Sequence, residues 1–271
     1  MHKTVTYQRA PLVELIVEIK WPVQTIGVAG VPPIISGQSA IFDLWSQQFG
    51  HALRTLGYHN LERLVPHDML VMAHQPLFRY RREDEQFPVV QMGHGIVTIN
   101  AGPPTYHSWQ TFRPQVERFI TALVEARPAD GGPSNLSQVA LRYIDLFDSD
   151  HRAGASNYVF IRDDLGIEVT FPEGLIELAT DQDRISPTIA VNFPVAADKN
   201  ATLVFQVAAG RLGNRPSTDA DTVMDMAYVV TGELPLDTVE VLSALDRAYQ
   251  VIHGWFEQLT LRIRDRMQPA Q

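Results

Sequence analysis

Five groups of residues in this 271-residue chain have types and spacings that suggest chemistry. His67, Asp68 and His74 bring together imidazole and carboxylate, the donors of a metal site or a general base. Their spacing matches no ligand motif, and on a strand His67 and His74 face opposite sides. Surface histidines in a hairpin are the expected reading. Glu14 and Glu18 share a strand face at a separation of about 13 Å, too wide for a carboxylate dyad. An ordinary polar sheet face is expected there. Arg142 lies opposite Tyr143 and Asp145 on an apolar strand, so at least one charge is partly buried and needs a partner. A structural ion pair of Arg142 with a carboxylate such as Glu14 or Glu18 is the expected solution, although buried charge also marks sites. Asn100, Tyr106, His107 and Trp109 fall at a strand end and a helix start. A free helix N-terminus beside Gly102-Pro103-Pro104 can receive an anion, whereas capping and core aromatics are the plainer use. Asp181 with Asp183, and Asp219 with Asp221, have the i, i+2 spacing of Mg²⁺ or Ca²⁺ ligands but no EF-hand pattern, and solvated loops are expected.

Other chemistries lack their signatures. No GxGxxG follows a strand, and P-loop, GxSxG, HExxH and CxxC motifs are absent from the sequence. With no cysteine, thiolate nucleophiles, thiolate metal sites and disulfides are excluded. The net charge of −9 sits wholly in residues 136–271, which hold 20 acidic and 11 basic side chains. An acidic half repels phosphate backbones and suits a basic protein partner. Basic clustering is confined to Arg79, Arg81, Arg82 and to Arg262, Arg264, Arg266. The apolar runs are too short to span a bilayer, and a cytoplasmic protein is expected.

The elements that must position these residues are legible from periodicity. Leu12 to Trp21 alternates between apolar and charged, a strand with one buried face. Ser36 to Leu56 carries a stripe of Ile41, Trp45, Phe49, Leu53 and Leu56, capped by Ser36 or Ser39 and closed by Gly57. Short strands are expected at 59–65, 69–73, 77–82, 87–92 and 96–100, with tight turns at 82–86 and 93–95. A second helix spans 107–126, and 127–133 is the best linker. A long strand at 136–147, a weak helix at 156–165 and strands at 175–180, 188–193, 203–208 and 222–230 follow. A seam of Leu242, Leu245, Tyr249, Ile252, Phe256, Leu259 and Ile263 marks a long closing helix.

Each half therefore reads strand, helix, antiparallel strands, long helix. The expected fold is α+β, with a first helix-on-sheet unit at 1–130 and a second, acidic one at 134–271. The two can join into one continuous twisted sheet covered by helices. This order is shared by helix-grip units and by the TATA-binding-protein saddle, an analogy that carries no function.

Three stretches, Ala10 to Ile19, Gln91 through Asn100 to Tyr106, Trp109 and Phe112, and Leu141-Arg142-Tyr143-Ile144-Asp145, resemble in that order a family of sporadically distributed bacterial proteins. Where that family's third motif is expected to close on Asn, this sequence has Asp145. The resemblance brings no established activity and no catalytic residues. Scattered distribution implies an accessory or defence role. The leading expectation is a non-enzymatic binding or scaffold protein that holds a protein partner or another copy of itself. No cofactor, metal, membrane or nucleic-acid partner is expected. The alternative is a small-molecule sensor or an enzyme with a pocket between sheet and helix. Its binding residues would come from Asn100, Tyr106, His107, Trp109, Arg142, Tyr143 and Asp145. Nucleic-acid binding on the open sheet face is a third reading.

Overall fold

The computed structural model describes residues 7–26, 34–35, 40–67, 69–83, 86–170, 174, 181, 185–210 and 220–269. The strand expected at 175–180, the caps Ser36 and Ser39, and Asp68, Asp183 and Asp219 lie outside the described residues.

Alternation builds the centre of the fold. In β1 (Leu12–Lys20), Leu15, Val17 and Ile19 are fully buried while Glu14, Glu18 and Lys20 line the opposite face. On one side β1 pairs antiparallel with β7 (Ile96–Ala101), the last strand of a meander through β4 (Asn60–Arg63), β5 (Pro76–Arg81) and β6 (Val89–Gly93). On the other side it pairs with β8 (Asn135–Phe147), which continues through β11 (Asp221–Pro235) and β10 (Ala201–Gly210) to β9 (Thr188–Pro194). All nine strands form one antiparallel open sheet in the order β4-β5-β6-β7-β1-β8-β11-β10-β9. The two halves meet at β1–β8, and in each half the last strand returns beside the first. A separate ribbon pairs β2 (Thr25–Ile26) with β3 (Ile34–Ile35). Met69–Ala73 forms no continuous strand, because His74 adopts a left-handed φ of 59° and turns the chain.

Helices cover one face. α1 (Ala40–Thr55) buries Phe42, Trp45, Phe49 and Leu53, and leaves Ile41 and Leu44 exposed, so the apolar stripe is rotated by one residue at its start. It ends where Tyr58 N–H reaches Leu53 O and Gly57 N–H reaches Arg54 O, with Gly57 at φ 90°, a backbone conformation that glycine adopts without a Cβ penalty. α2 (Trp109–Glu125) buries Phe112, Val116, Phe119, Ile120 and Leu123. The indole of Trp45 on α1 donates to Leu123 O at 3.0 Å, which pins α1 to α2.

In the second half, Ser156 caps the short α3 (Asn157–Val159), which runs into a π-helical turn at Phe160–Asp164. α4 (Thr238–Leu259) starts at Asp237, whose carboxylate accepts from the N–H groups of Val239 and Glu240. Leu242, Leu245, Tyr249 and Ile252 are buried, whereas Phe256 and Leu259 are only partly so. The helix ends four residues before Ile263. Thr260 Oγ1 bonds back to Phe256 O, and the chain tightens into a 3₁₀ turn at Leu261–Met267 that still buries Ile263. No helix among the described residues is long and apolar enough to cross a membrane.

Candidate functional site

The parity of β8 divides the expected site residues between two faces of the sheet. Tyr143 and Asp145 point with Leu141 toward the helices, and Arg142 points to the open face. There Arg142 makes a bidentate pair with Asp225 of β11, its Nε donating to Oδ1 at 2.8 Å. The expected structural ion pair is present, with Asp225 in place of the Glu14 or Glu18 offered as examples. Diagonal reach across an adjacent strand brings Asp225 into contact, while those glutamates take other partners. Asn100 is also on the open face. Its Nδ2 donates to Glu14 Oε1 at 2.7 Å, and its Oδ1 accepts from Thr98 at 2.8 Å. Gln138 donates to Glu18, which also pairs with Lys20, both at 2.7 Å.

The covered face holds a cavity of about 370 Å³. Its floor is sheet: Leu12 from β1, Tyr143 and Asp145 from β8, and Met226 from β11. Register places Leu12 beside Asp145 and Met226 beside Tyr143. Its roof is α4, with Tyr249, Ile252, His253 and Phe256. One wall is the segment Pro103–Trp109 that leads into α2, and another is the stretch from Tyr7 to Pro11. A β-bulge between Leu12 and Glu14 bends β1 where it passes Asp145. Gly102 permits the close crossing, since a Cβ there would lie 2.6 Å from Val13 O.

Most polar groups around this space are already engaged. Tyr106 and Tyr143 share a hydrogen bond between hydroxyls at 2.9 Å. Burial, chiefly, raises the pKa of both phenols and keeps them neutral. The indole of Trp109 donates to Asp246 Oδ1 at 2.8 Å, and Asp246 also accepts from Arg113 Nε at 2.9 Å. Trp109 stacks on Tyr249, and Tyr249 stacks on His253. Tyr7 donates to Glu257 at 2.8 Å. Burial lowers the pKa of His253 and favours its neutral imidazole.

Asp145 is buried without that engagement. It is 3% exposed, and its Oδ2 has no hydrogen-bond partner among the described residues. Burial, and secondly the charge of Asp225, push its pKa up to about 8. At neutral pH it is mainly a carboxylic acid, able to donate a hydrogen bond as well as accept one.

Of the expected residues the structure thus brings together Tyr106, His107, Trp109, Tyr143 and Asp145, and places Asn100 and Arg142 elsewhere. It adds Met226, Tyr249 and His253, for which only the strand pattern of β11 and the amphipathic seam of α4 were signals, and Tyr7, for which no pattern in the sequence was one. The N-terminus of α2 is not free for an anion, because Ser108 caps it by accepting from Thr111 N–H. His74 bonds the carbonyl of Trp21 at 3.2 Å, and no group of three His, Asp or Glu side chains able to hold a metal occurs among the described residues. The arginine clusters are largely tied to acidic side chains and carbonyls, Arg79 to Glu62, Arg266 to Asp164 and Arg262 to Asp163 O.

No family model, no curated protein and no solved structure matches the chain.

Proposed function

We propose that this protein binds a small, largely apolar molecule in the cavity between the sheet and α4. The observation that carries the reading is Asp145 Oδ2, buried and unpartnered on the floor of an otherwise aromatic and aliphatic pocket. A buried polar atom without a partner costs about 1–3 kcal/mol. A fold that keeps one beside an open volume gains that back when a ligand supplies the missing bond. Concave, mainly apolar spaces with few polar groups are the usual form of small-molecule sites. The uncharged fluorophore 1-aminoanthracene tests this. The native chain should take it up with a blue-shifted emission, and Met226→Trp, which fills the floor, should abolish the uptake. No uptake by the native chain would sink the proposal.

A protein-binding role has separate support in Met69, Leu70 and Met72, which are 60%, 75% and 43% exposed on one loop. Apolar side chains clustered in this way suit a partner surface. Sedimentation of the native chain against Leu70→Ser tests it, and a monomer in both cases argues against self-association.

A further inference from the structure

We infer that the molecule this cavity takes is a protonated amine, whose ammonium group is held by Asp145 and whose apolar body lies against the aromatic walls. The inference rests on the pocket reading above and names the chemistry of its ligand.

Three observations converge on it. First, the other polar groups of the lining are largely committed. The Tyr106 and Tyr143 hydroxyls hold each other, the Trp109 N–H is bound by Asp246, and the Tyr7 hydroxyl is bound by Glu257. Asp145 Oδ2 is the fully buried acceptor of the lining left open among the described residues. Second, among the described residues no Lys or Arg lines the cavity. An anionic ligand would meet a carboxyl group with no cation to offset it, whereas an ammonium group favours the ionised form of Asp145, drawing off its proton as it binds and gaining a counter-charge. Third, the walls are rich in aromatic rings, from Tyr106, Trp109, Tyr143, Tyr249 and Phe256. Ring faces attract ammonium groups, most strongly where water is excluded. His253 is held neutral by its burial and does not oppose a positive ligand.

The test varies charge on a fixed shape. Tryptamine, tryptophol and indole-3-propionate present the same ring system with a cation, a neutral hydroxyl and an anion. Isothermal titration of the full chain at neutral pH should find tryptamine bound at least about tenfold tighter than tryptophol, with no binding of indole-3-propionate. Asp145→Asn should remove the tenfold preference, weakening tryptamine far more than tryptophol. Equal or tighter binding of tryptophol by the native chain overturns the amine inference. A preference that persists in Asp145→Asn overturns it too, by placing the charge recognition elsewhere. If that variant does not fold, the ranking of the three probes on the native chain still decides. Uptake of 1-aminoanthracene without binding of any indole overturns the amine inference and leaves the pocket standing. Failure to take up 1-aminoanthracene removes both.

Discussion

On the open face of β1, β7, β8 and β11, polar side chains meet polar side chains. Asn100 donates to Glu14, Gln138 to Glu18, and Arg142 forks onto Asp225. Three residues from Arg142 along the same β8 strand, about 10 Å away and on the covered face, Asp145 is buried deeper than any of them and its Oδ2 has no partner among the described residues. Along these four central strands the open face matches its polar groups with one another. The covered face keeps one bond unmade beside a cavity. The ligand proposed for the cavity would make that missing bond.

Variants that move groups across this divide should sharpen the contrast or erase it. The largest effect is expected at Asp145. Its folded pKa of about 8 stands above the ordinary carboxylate value near 3.8, so the folded chain retains a proton that the unfolded chain has lost. Stability from this group falls as pH rises from about 4 to about 8, by on the order of 5 kcal/mol in total, and is flat above. Urea unfolding at pH 5 and pH 9 should show this loss in the native chain and largely abolish it in Asp145→Asn. A native chain equally stable at both values would mean that Asp145 is solvated or paired.

Phe256→Ala comes next. Phe256 is only partly buried and forms part of the cavity roof, so its loss should cost about 2 kcal/mol, below the 3–5 typical of a fully buried Phe. It should weaken ligand uptake more than it lowers the melting temperature. Tyr143→Phe leaves the Tyr106 hydroxyl without its partner on the covered face and should cost about 1–2 kcal/mol by chemical denaturation. The smallest effect belongs to the open face. The Arg142–Asp225 pair has an exposed arginine, and a double-mutant cycle should give no more than about 1 kcal/mol. Asn100→Ala should leave ligand binding untouched. If it does not, the two faces are coupled and the division drawn here fails.

Period-two alternation made the division itself legible in sequence. Val139, Leu141, Tyr143 and Asp145 share one side of β8, so a charge inside the fold could be read from the letters. The partner of Arg142 could not, because Asp225 lies 83 residues away and only strand order brings it adjacent. Asn100 and Tyr106 read as one patch because they are close in the chain. Between them Gly102, Pro103 and Pro104 carry the backbone over the end of the sheet, and the two side chains part to opposite faces. The seam on α4 correctly marked a sheet-covering helix. It overran the helix end because Ile263 keeps the apolar rhythm from within a 3₁₀ turn. Which seam residues face a cavity rather than a packed core depends on the floor beneath them, and that floor comes from β1, β8 and β11.

The wall from Tyr7 to Pro11 is held from the far end of the chain. Gln8 N–H bonds to Gln268 O, Arg9 N–H to Met267 O, and Tyr7 to Glu257. Such contacts have nearly the largest loop to close that this sequence offers, so their entropic cost is met late on the way to the native state. The sheet and its helices can assemble first, with the pocket still open on one side. Proteolysis or hydrogen exchange near Tyr7 and Gln268 would then report the last step of folding and the closing of the cavity wall as a single event.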